Sequence, residues 1–253
     1  MKRLVIVSDL HCGSVFGITP SYWQDRKGSK YEELQREGWN AYLAMTRKWA
    51  SPDILLCNGD MIEGRQDRQG GTELITTDRN VQADMAVKAL GAWNAKEILM
   101  TYGTQYHVSE KAEDFEYNIA SRLNAKIEGH LFFETEGINI NARHKVGHSS
   151  VPHGRTTSIS KEMMWNELIG EPKSKITIRS HTHYHVWLED GNGKIGFITP
   201  CLQYKRGRYG SRQCVGSVHW GAIYLGLDKG DIVEKEVQIC KLQGNKPTVI
   251  KIK

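Results

Sequence analysis

The feature that most constrains this chain is a repeated junction. Short apolar runs break off, one after another, into segments rich in carboxylate, imidazole and carboxamide groups. Residues 4–7 (LVIV) lead into Ser8-Asp9-Leu10-His11, and residues 53–57 (DILLC) into Asn58-Gly59-Asp60. Residues 97–102 (EILMTY) lead into Gly103-Thr104-Gln105-Tyr106-His107, and residues 175–179 (KITIR) into Ser180-His181-Thr182-His183-Tyr184-His185. Runs of this length that stop at glycine or polar residues read as buried strands.

Helical patterns separate the early runs. Residues 30–49 carry Leu34, Trp39, Tyr42, Leu43, Met45 and Trp49 near helical spacing, with Gly38 as a weak point and Pro52 as a stop. Thr77 or Asp78 can cap a helix whose stripe is Val81, Met85, Ala89 and Trp93. Ser109 or Glu113 can open another, with Phe115, Ile119 and Leu123 four apart. Strand–helix–strand alternation implies parallel strands with right-handed crossovers. Ligands of such sheets bind beyond the carboxyl ends of the strands, so the polar segments are expected to converge.

The second half is richer in strands. Ile138, Ile140 and Ala142 alternate up to Arg143 and His144, residues 156–169 read as a helix, and residues 194–199 and 222–227 read as strands. With no repeat, low-complexity tract or linker, residues 1–253 are expected to form one domain.

Composition narrows the class. Hydrophobic residues make up 39% and charged residues 25%, with a net charge of +5, which excludes a disordered chain. No apolar run approaches the ~20 residues of a membrane span, so no membrane partner is expected. Lys2 and Arg3 before residues 4–7 resemble the start of a secretion signal, but the apolar stretch is too short and reads as a first strand. The five cysteines form no CxxC pair and are odd in number, which points to a reducing compartment and a cytoplasmic location.

The strand-end residues share one chemistry. Imidazole and carboxylate groups suit a divalent transition metal. In an extended segment residues i and i+2 point to one side, so Asp9 and His11 can bind one ion together, as can His181 and His183. If Asp60 bridges two ions, the set makes a two-metal centre, with ions about 3.5–4 Å apart and a water activated for attack on phosphorus.

The ordered series Asp9-x-His11, Gly59-Asp60, Gly103-x-x-x-His107, His144 and Ser180-His181-x-His183 resembles the calcineurin-like metallophosphoesterase superfamily, over residues 7–185. The spellings SDLHCGS, NGDMIEG, GTQYHV and SHTHYH look most like members encoded by phage and prophage, which would mean a bacterial host cytoplasm. The resemblance implies a four-layer α/β (α+β) fold, a β-sandwich flanked by helices. It implies a first metal on Asp9, His11 and His183, a bridge at Asp60, and a second metal on His144 and His181. Two divalent ions are expected, manganese first, with iron, zinc or nickel as alternatives. His148 is the first alternative to His144, and His148 and His153 could instead line a phosphate site or be exposed.

The chain departs from the family at its third motif. The family has Gly-Asn-His followed by an acid, with the Asn on the second metal and the His on the phosphate or leaving group. Here Thr104 stands at the Asn position, Gln105 offers an amide at another spacing, and the His comes two residues late, as His107. His107 is expected to act as general acid or phosphate contact, with ligation of a metal as the alternative. The same departure, and the absence of GDxVDRG, argue against the Ser/Thr protein phosphatase branch.

The expected function is metal-dependent hydrolysis of phosphate esters, preferably phosphodiesters of nucleic acid or nucleotides. A phosphomonoesterase, or a degenerate member that binds metal or nucleic acid without turnover, is the alternative. Glu63 could orient a ligand or be a solvated side chain, and Asn58 could hydrogen-bond near the metal or close a turn. Two basic–aromatic segments, residues 22–27 and 204–212, could contact nucleic acid, the second through Arg206, Arg208 and Arg212.

Overall fold

Side-chain alternation along the first strand sets the layering. In β1 (Lys2–Val7) Leu4 and Ile6 face one side and Val5 and Val7 the other, and all four are fully buried. A strand apolar on both faces must lie inside a sheet covered on both sides. The computed structural model describes residues 1–25, 28–29, 31–67, 70–110, 113–149, 151–204, 207, 218–242 and 252.

The strands that follow are β2 (Ile54–Asn58), β3 (Glu97–Thr101), β4 (Ser109–Glu110), β5 (Glu113–Asp114), β6 (Lys126–Glu128), β7 (Leu131–Thr135) and β8 (Ile138–Ala142). They continue with β9 (Ile176–Arg179), β10 (Val186–Glu189), β11 (Ile195–Ile198), β12 (Trp220–Asp228) and β13 (Asp231–Cys240). The helices are α1 (Glu32–Lys48), α2 (Arg79–Gly91), α3 (Gln105–Val108), α4 (Phe115–Arg122) and α5 (Arg155–Leu168).

One sheet has the order β13-β12-β1-β2-β3-β6, and the other β10-β11-β9-β8-β7, while β4 and β5 pair by themselves. In the first sheet β1, β2, β3 and β6 are parallel, as the alternation requires, and β12 joins β1 antiparallel. In the second, β8, β9 and β11 are parallel.

Two apolar layers hold the stack. Val5, Val7, Leu55, Cys57 and Met100 face Trp39, Tyr42 and Met45 of α1, Met85 and Ala89 of α2, and Ile119 of α4. Leu4, Ile6, Leu56 and Leu99 face Ile140, Ile178 and Phe197 of the second sheet. Helix α5 covers the far side of that sheet, where Met163 and Ile159 lie against Gly196. The architecture is therefore two sheets face to face between helices, the mixed α/β fold that the resemblance implied.

Helix α2 starts at the expected cap, with Asp78 accepting from the Asn80 N–H at 2.9 Å. Helix α4 does not start at Ser109 or Glu113, which lie in β4 and β5. Its cap is Asp114, which accepts from the Tyr117 N–H at 2.8 Å; an aspartate reaches the third helical amide where a glutamate side chain is too long. Among the described residues no helix is long and apolar enough to cross a membrane.

Candidate metal centre

Backbone geometry marks the site before its side chains do. Asp9, His11, Asp60, His181 and His183 all have positive φ, at 52°, 46°, 55°, 75° and 60°. This region is unfavourable for residues with a Cβ, at a cost of about 1–3 kcal/mol each, and persists only where the surroundings over-determine it. Here the loops after β1 and β2 are zipped together. Asp9 N–H donates to Gly59 O at 3.0 Å, His11 N–H to Asp60 O at 3.1 Å, Cys12 N–H to Met61 O at 3.0 Å and Glu63 N–H to Cys12 O at 3.0 Å.

A buried chain of polar groups ties the strand ends beneath the site. Asn58 Nδ2 donates to Ser180 Oγ at 2.6 Å and Asn58 Oδ1 accepts from Thr101 Oγ1 at 2.8 Å. Thr199 Oγ1 lies 2.7 Å from both Ser180 Oγ and Ser8 Oγ. The ends of β1, β2, β3, β9 and β11 are joined through these side chains, and the two sheets with them. Gly59 leaves room for the site above: at φ +80° it lies so close to His144 that a Cβ would sit 2.5 Å from the ring.

Six strand-end residues and His107 meet on this platform. Asp9, His11, Asp60 and His144 are at most 2% exposed. His183 Nε2 lies 3.2 Å from Asp9 Oδ1, and His144 Nε2 lies 2.9 Å from Asp60 Oδ2. His11 Nε2 and His144 Nε2 are each 3.9 Å from Asp9 Oδ1. Three sets of side chains bring their donor atoms within 4.8 Å of one another: Asp9, His11 and His183; Asp60, His144 and His181; and His11, Asp60 and His107. His144, and not His148 or His153, joins these sets.

Surrounding groups fix which ring nitrogen faces the centre. Glu63 Oε2 is 2.7 Å from His11 Nδ1, and the Asn58 carbonyl is 2.7 Å from His144 Nδ1, which leaves Nε2 of each ring facing inward. Glu63 is itself held by Gln66 Nε2 at 2.8 Å. Thr104 donates its N–H and its hydroxyl to Asp60 Oδ1. Behind Asp60, buried Glu116 accepts from the N–H groups of Met61 at 3.1 Å and Gly103 at 2.6 Å.

The electrostatics follow from this crowding. Burial works against charge on Asp9, but the His183 and His144 imidazoles hold its carboxyl well below the usual range. Burial opposes charge on Asp60 too, yet His144 and His107 keep it ionised. Burial lowers His144, but Asp60 and Asp9 outweigh it and push the imidazole up to about 9. Burial and the charge of His144 push His181 down to about 4. Burial and the charge of Asp60 push Glu116 up to about 8.

These residues fit a divalent metal. Asp9 Oδ1, His11 Nε2 and His144 Nε2 are buried without a hydrogen bond, an arrangement that costs free energy unless a cation satisfies it. The donor set is imidazole and carboxylate throughout, as such an ion prefers.

Other histidines lie outside these sets. His185 Nδ1 meets the Ile198 carbonyl at 2.7 Å, its N–H donates to His219 Nδ1 at 2.9 Å, and His130 Nε2 lies 2.8 Å from Asn141 Oδ1. Arg206, Arg208 and Arg212, like Arg26 and Lys27, are outside the described residues. No sequence signal marks Glu116, which sits in the first turn of an ordinary amphipathic helix. The roles of Ser8, Ser180 and Thr199 had a faint signal, a hydroxyl directly after an apolar strand.

No protein-family model and no curated protein matches the sequence. Solved structures do. An archaeal phosphodiesterase is 12% identical, with 93% of this chain and 99% of that chain covered, at a TM-score of 0.50. A single mutant of Vps29 from Entamoeba histolytica is 13% identical, over 90% and 87%, at 0.49. Wild-type Vps29 from the same organism, complexed with zinc, is 13% identical over 90% and 87%, at 0.41. The chain shares with the archaeal phosphodiesterase its fold, two sheets packed between helices.

Proposed function

We propose that the chain is a metal-dependent phosphoesterase of the calcineurin-like metallophosphoesterase superfamily, acting on phosphodiesters of nucleic acid or nucleotides. One observation carries this reading: two acid–imidazole sets, Asp9-His11-His183 and Asp60-His144-His181, stand side by side, and within them Asp9 Oδ1, His11 Nε2 and His144 Nε2 lack hydrogen bonds. The shared fold with an archaeal phosphodiesterase supports the diester preference.

Asp9, His11 and His183 would hold one divalent ion, His144 and His181 a second, and Asp60 both. When bound, the ions would lower the pKa of a water and neutralise charge growing on the phosphoryl oxygens. Manganese is the proposed ion, as the sequence resemblance implies. The chain's own residues supply the rest. Glu63 and the Asn58 carbonyl keep the protons of His11 and His144 on Nδ1, and Thr104 holds the Asp60 carboxylate in one rotamer. The rigid backbone of the strand-end loops keeps these groups preorganised, so little reorganisation is needed during the reaction.

One observation favours a second reading, a metal-binding member without turnover. Thr104 offers Asp60 a hydroxyl, and no carboxamide stands at the place where the family has its Asn. Hydrolysis of bis(4-nitrophenyl) phosphate and of 4-nitrophenyl phosphate, with Mn²⁺ and with EDTA, separates the readings. The diesterase turns over the bis-ester with Mn²⁺ and stops in EDTA. A monoesterase prefers the mono-ester. Mn²⁺ uptake without turnover of either would support the silent member and overturn the enzyme.

A further inference from the structure

Resting on that reading, we infer that His107 is a ligand of the first metal ion, which makes the centre asymmetric: an extra imidazole on one side and no carboxamide on the other.

His107 meets the geometric conditions that His11 and His144 meet. Its Nδ1 lies 2.7 Å from the Glu63 carbonyl, the same kind of contact, at the same distance, that His144 Nδ1 makes with the Asn58 carbonyl. A ring nitrogen tied to a backbone carbonyl leaves Nε2 free to bind a metal, the usual arrangement of a ligating histidine. The donor atoms of His107, His11 and Asp60 lie within 4.8 Å of one another, and the His107 and His11 rings meet edge to face at 4.7 Å.

One residue sets both rings. The Glu63 carboxylate holds His11 Nδ1 while the Glu63 carbonyl holds His107 Nδ1. The two imidazoles are clamped as a pair, so a shift of Glu63 would move both. Gly64 completes the clamp: at φ +79° its Cα lies so close that a Cβ would stand 2.8 Å from the His107 carbonyl oxygen.

Among the described residues the second set has no such addition. Thr104, at the place of the missing carboxamide, spends its N–H and its hydroxyl on Asp60. The ion between Asp60, His144 and His181 then relies on solvent for its remaining positions, whereas the first ion gains a nitrogen. The two ions should therefore load in sequence, the first more tightly.

The test is Mn²⁺ titration by calorimetry of the full chain, wild type against His107→Asn and His107→Gln, with the melting temperature of each metal-free protein as a check on folding. The proposal expects metal-free proteins of equal melting temperature, a fall of at least about 10–100-fold in affinity for the tighter ion, and a smaller rise in melting temperature on adding Mn²⁺. In the Co²⁺-loaded wild type, the His107 Nδ1–H should give a hyperfine-shifted proton resonance that is lost in both variants. At saturating Mn²⁺, the variants should lose rate equally on diesters with good and poor leaving groups. Wild-type Mn²⁺ affinity in both variants, an unchanged Co²⁺ spectrum and a loss confined to poor leaving groups would overturn the proposal and make His107 a proton donor. A wild-type chain that takes up neither Mn²⁺ nor Co²⁺ would overturn the phosphoesterase reading itself.

Discussion

Thr104 grips Asp60 twice: its backbone N–H donates to Oδ1 at 2.6 Å, and its hydroxyl reaches the same oxygen at 2.9 Å. A hydrogen bond to a charged group contributes about 1.5–3 kcal/mol. Thr104→Val keeps the shape and removes the hydroxyl, so Mn²⁺ affinity should fall by about tenfold or more, in line with that energy. Thr104→Ser should behave as wild type. Calorimetric titration of the three proteins checks the order.

Asp60 touches both sets of metal-binding groups, so its charge should matter to both ions. Asp60→Asn is expected to lower the Mn²⁺ content measured by atomic emission after dialysis, and to lower phosphodiester turnover by at least a hundredfold. Full activity together with full metal content would refute its bridging role. The metal-free variant should remain folded, because an uncharged carboxamide still accepts from Thr104.

The stability of the metal-free protein should fall as pH rises, with His144 contributing beside the other raised groups, His11 and Glu116. The His144 pKa rises from 6.5 to about 9 in the fold. A raised histidine contributes stability that is fully present below 6.5 and is lost as pH climbs toward 9. Denaturant titrations at pH 6 and pH 9 should therefore show a decline across this window that is smaller in His144→Gln. Ion uptake in the same window should release protons, because a ligating imidazole must be neutral, so affinity should increase with pH. His181, pushed down to about 4, should add nothing to that release above pH 6.

The arginines at 206, 208 and 212 give a prediction that rests on sequence. Neutralising all three should weaken binding to single-stranded DNA and flatten its dependence on salt, because fewer counterions are displaced. Turnover of bis(4-nitrophenyl) phosphate should be unchanged. Unaltered DNA binding would remove these residues from the substrate surface.

The parts of this architecture that depend on local pattern were legible in the sequence. The run at residues 4–7 reads as a buried strand because every residue is apolar, and Asp78 announces α2 because a short carboxylate before an apolar stripe has few other uses. The strands β7, β10 and β13 were not legible. Strand β13 is an edge strand carrying Glu234, Lys235 and Glu236, so its pairing with β12 rather than any apolar periodicity makes it a strand. The metal-binding candidates were legible as strand-end spellings, since i and i+2 acids and imidazoles at a junction are visible in one dimension. The groups that steer them were not. Glu63 reaches His11 across the zipper between two loops, and Glu116 reaches the Asp60 loop from a helix more than fifty residues away, relationships that exist only after folding.

The hydroxyl chain from Ser8 through Thr199 and Ser180 to Asn58 has a consequence for how the molecule comes together. It links the first strand to the eleventh, and above it the His181 N–H meets Asp9 across 172 residues of chain. Contacts so distant in sequence form late, after the entropy of closing long loops has been overcome. The pocket cannot exist in a half-folded intermediate, so metal uptake during refolding should appear only in the final kinetic phase. An ion held between the two sheets must be released before they can part, and it would act as a brake on unfolding as well as a tool for chemistry.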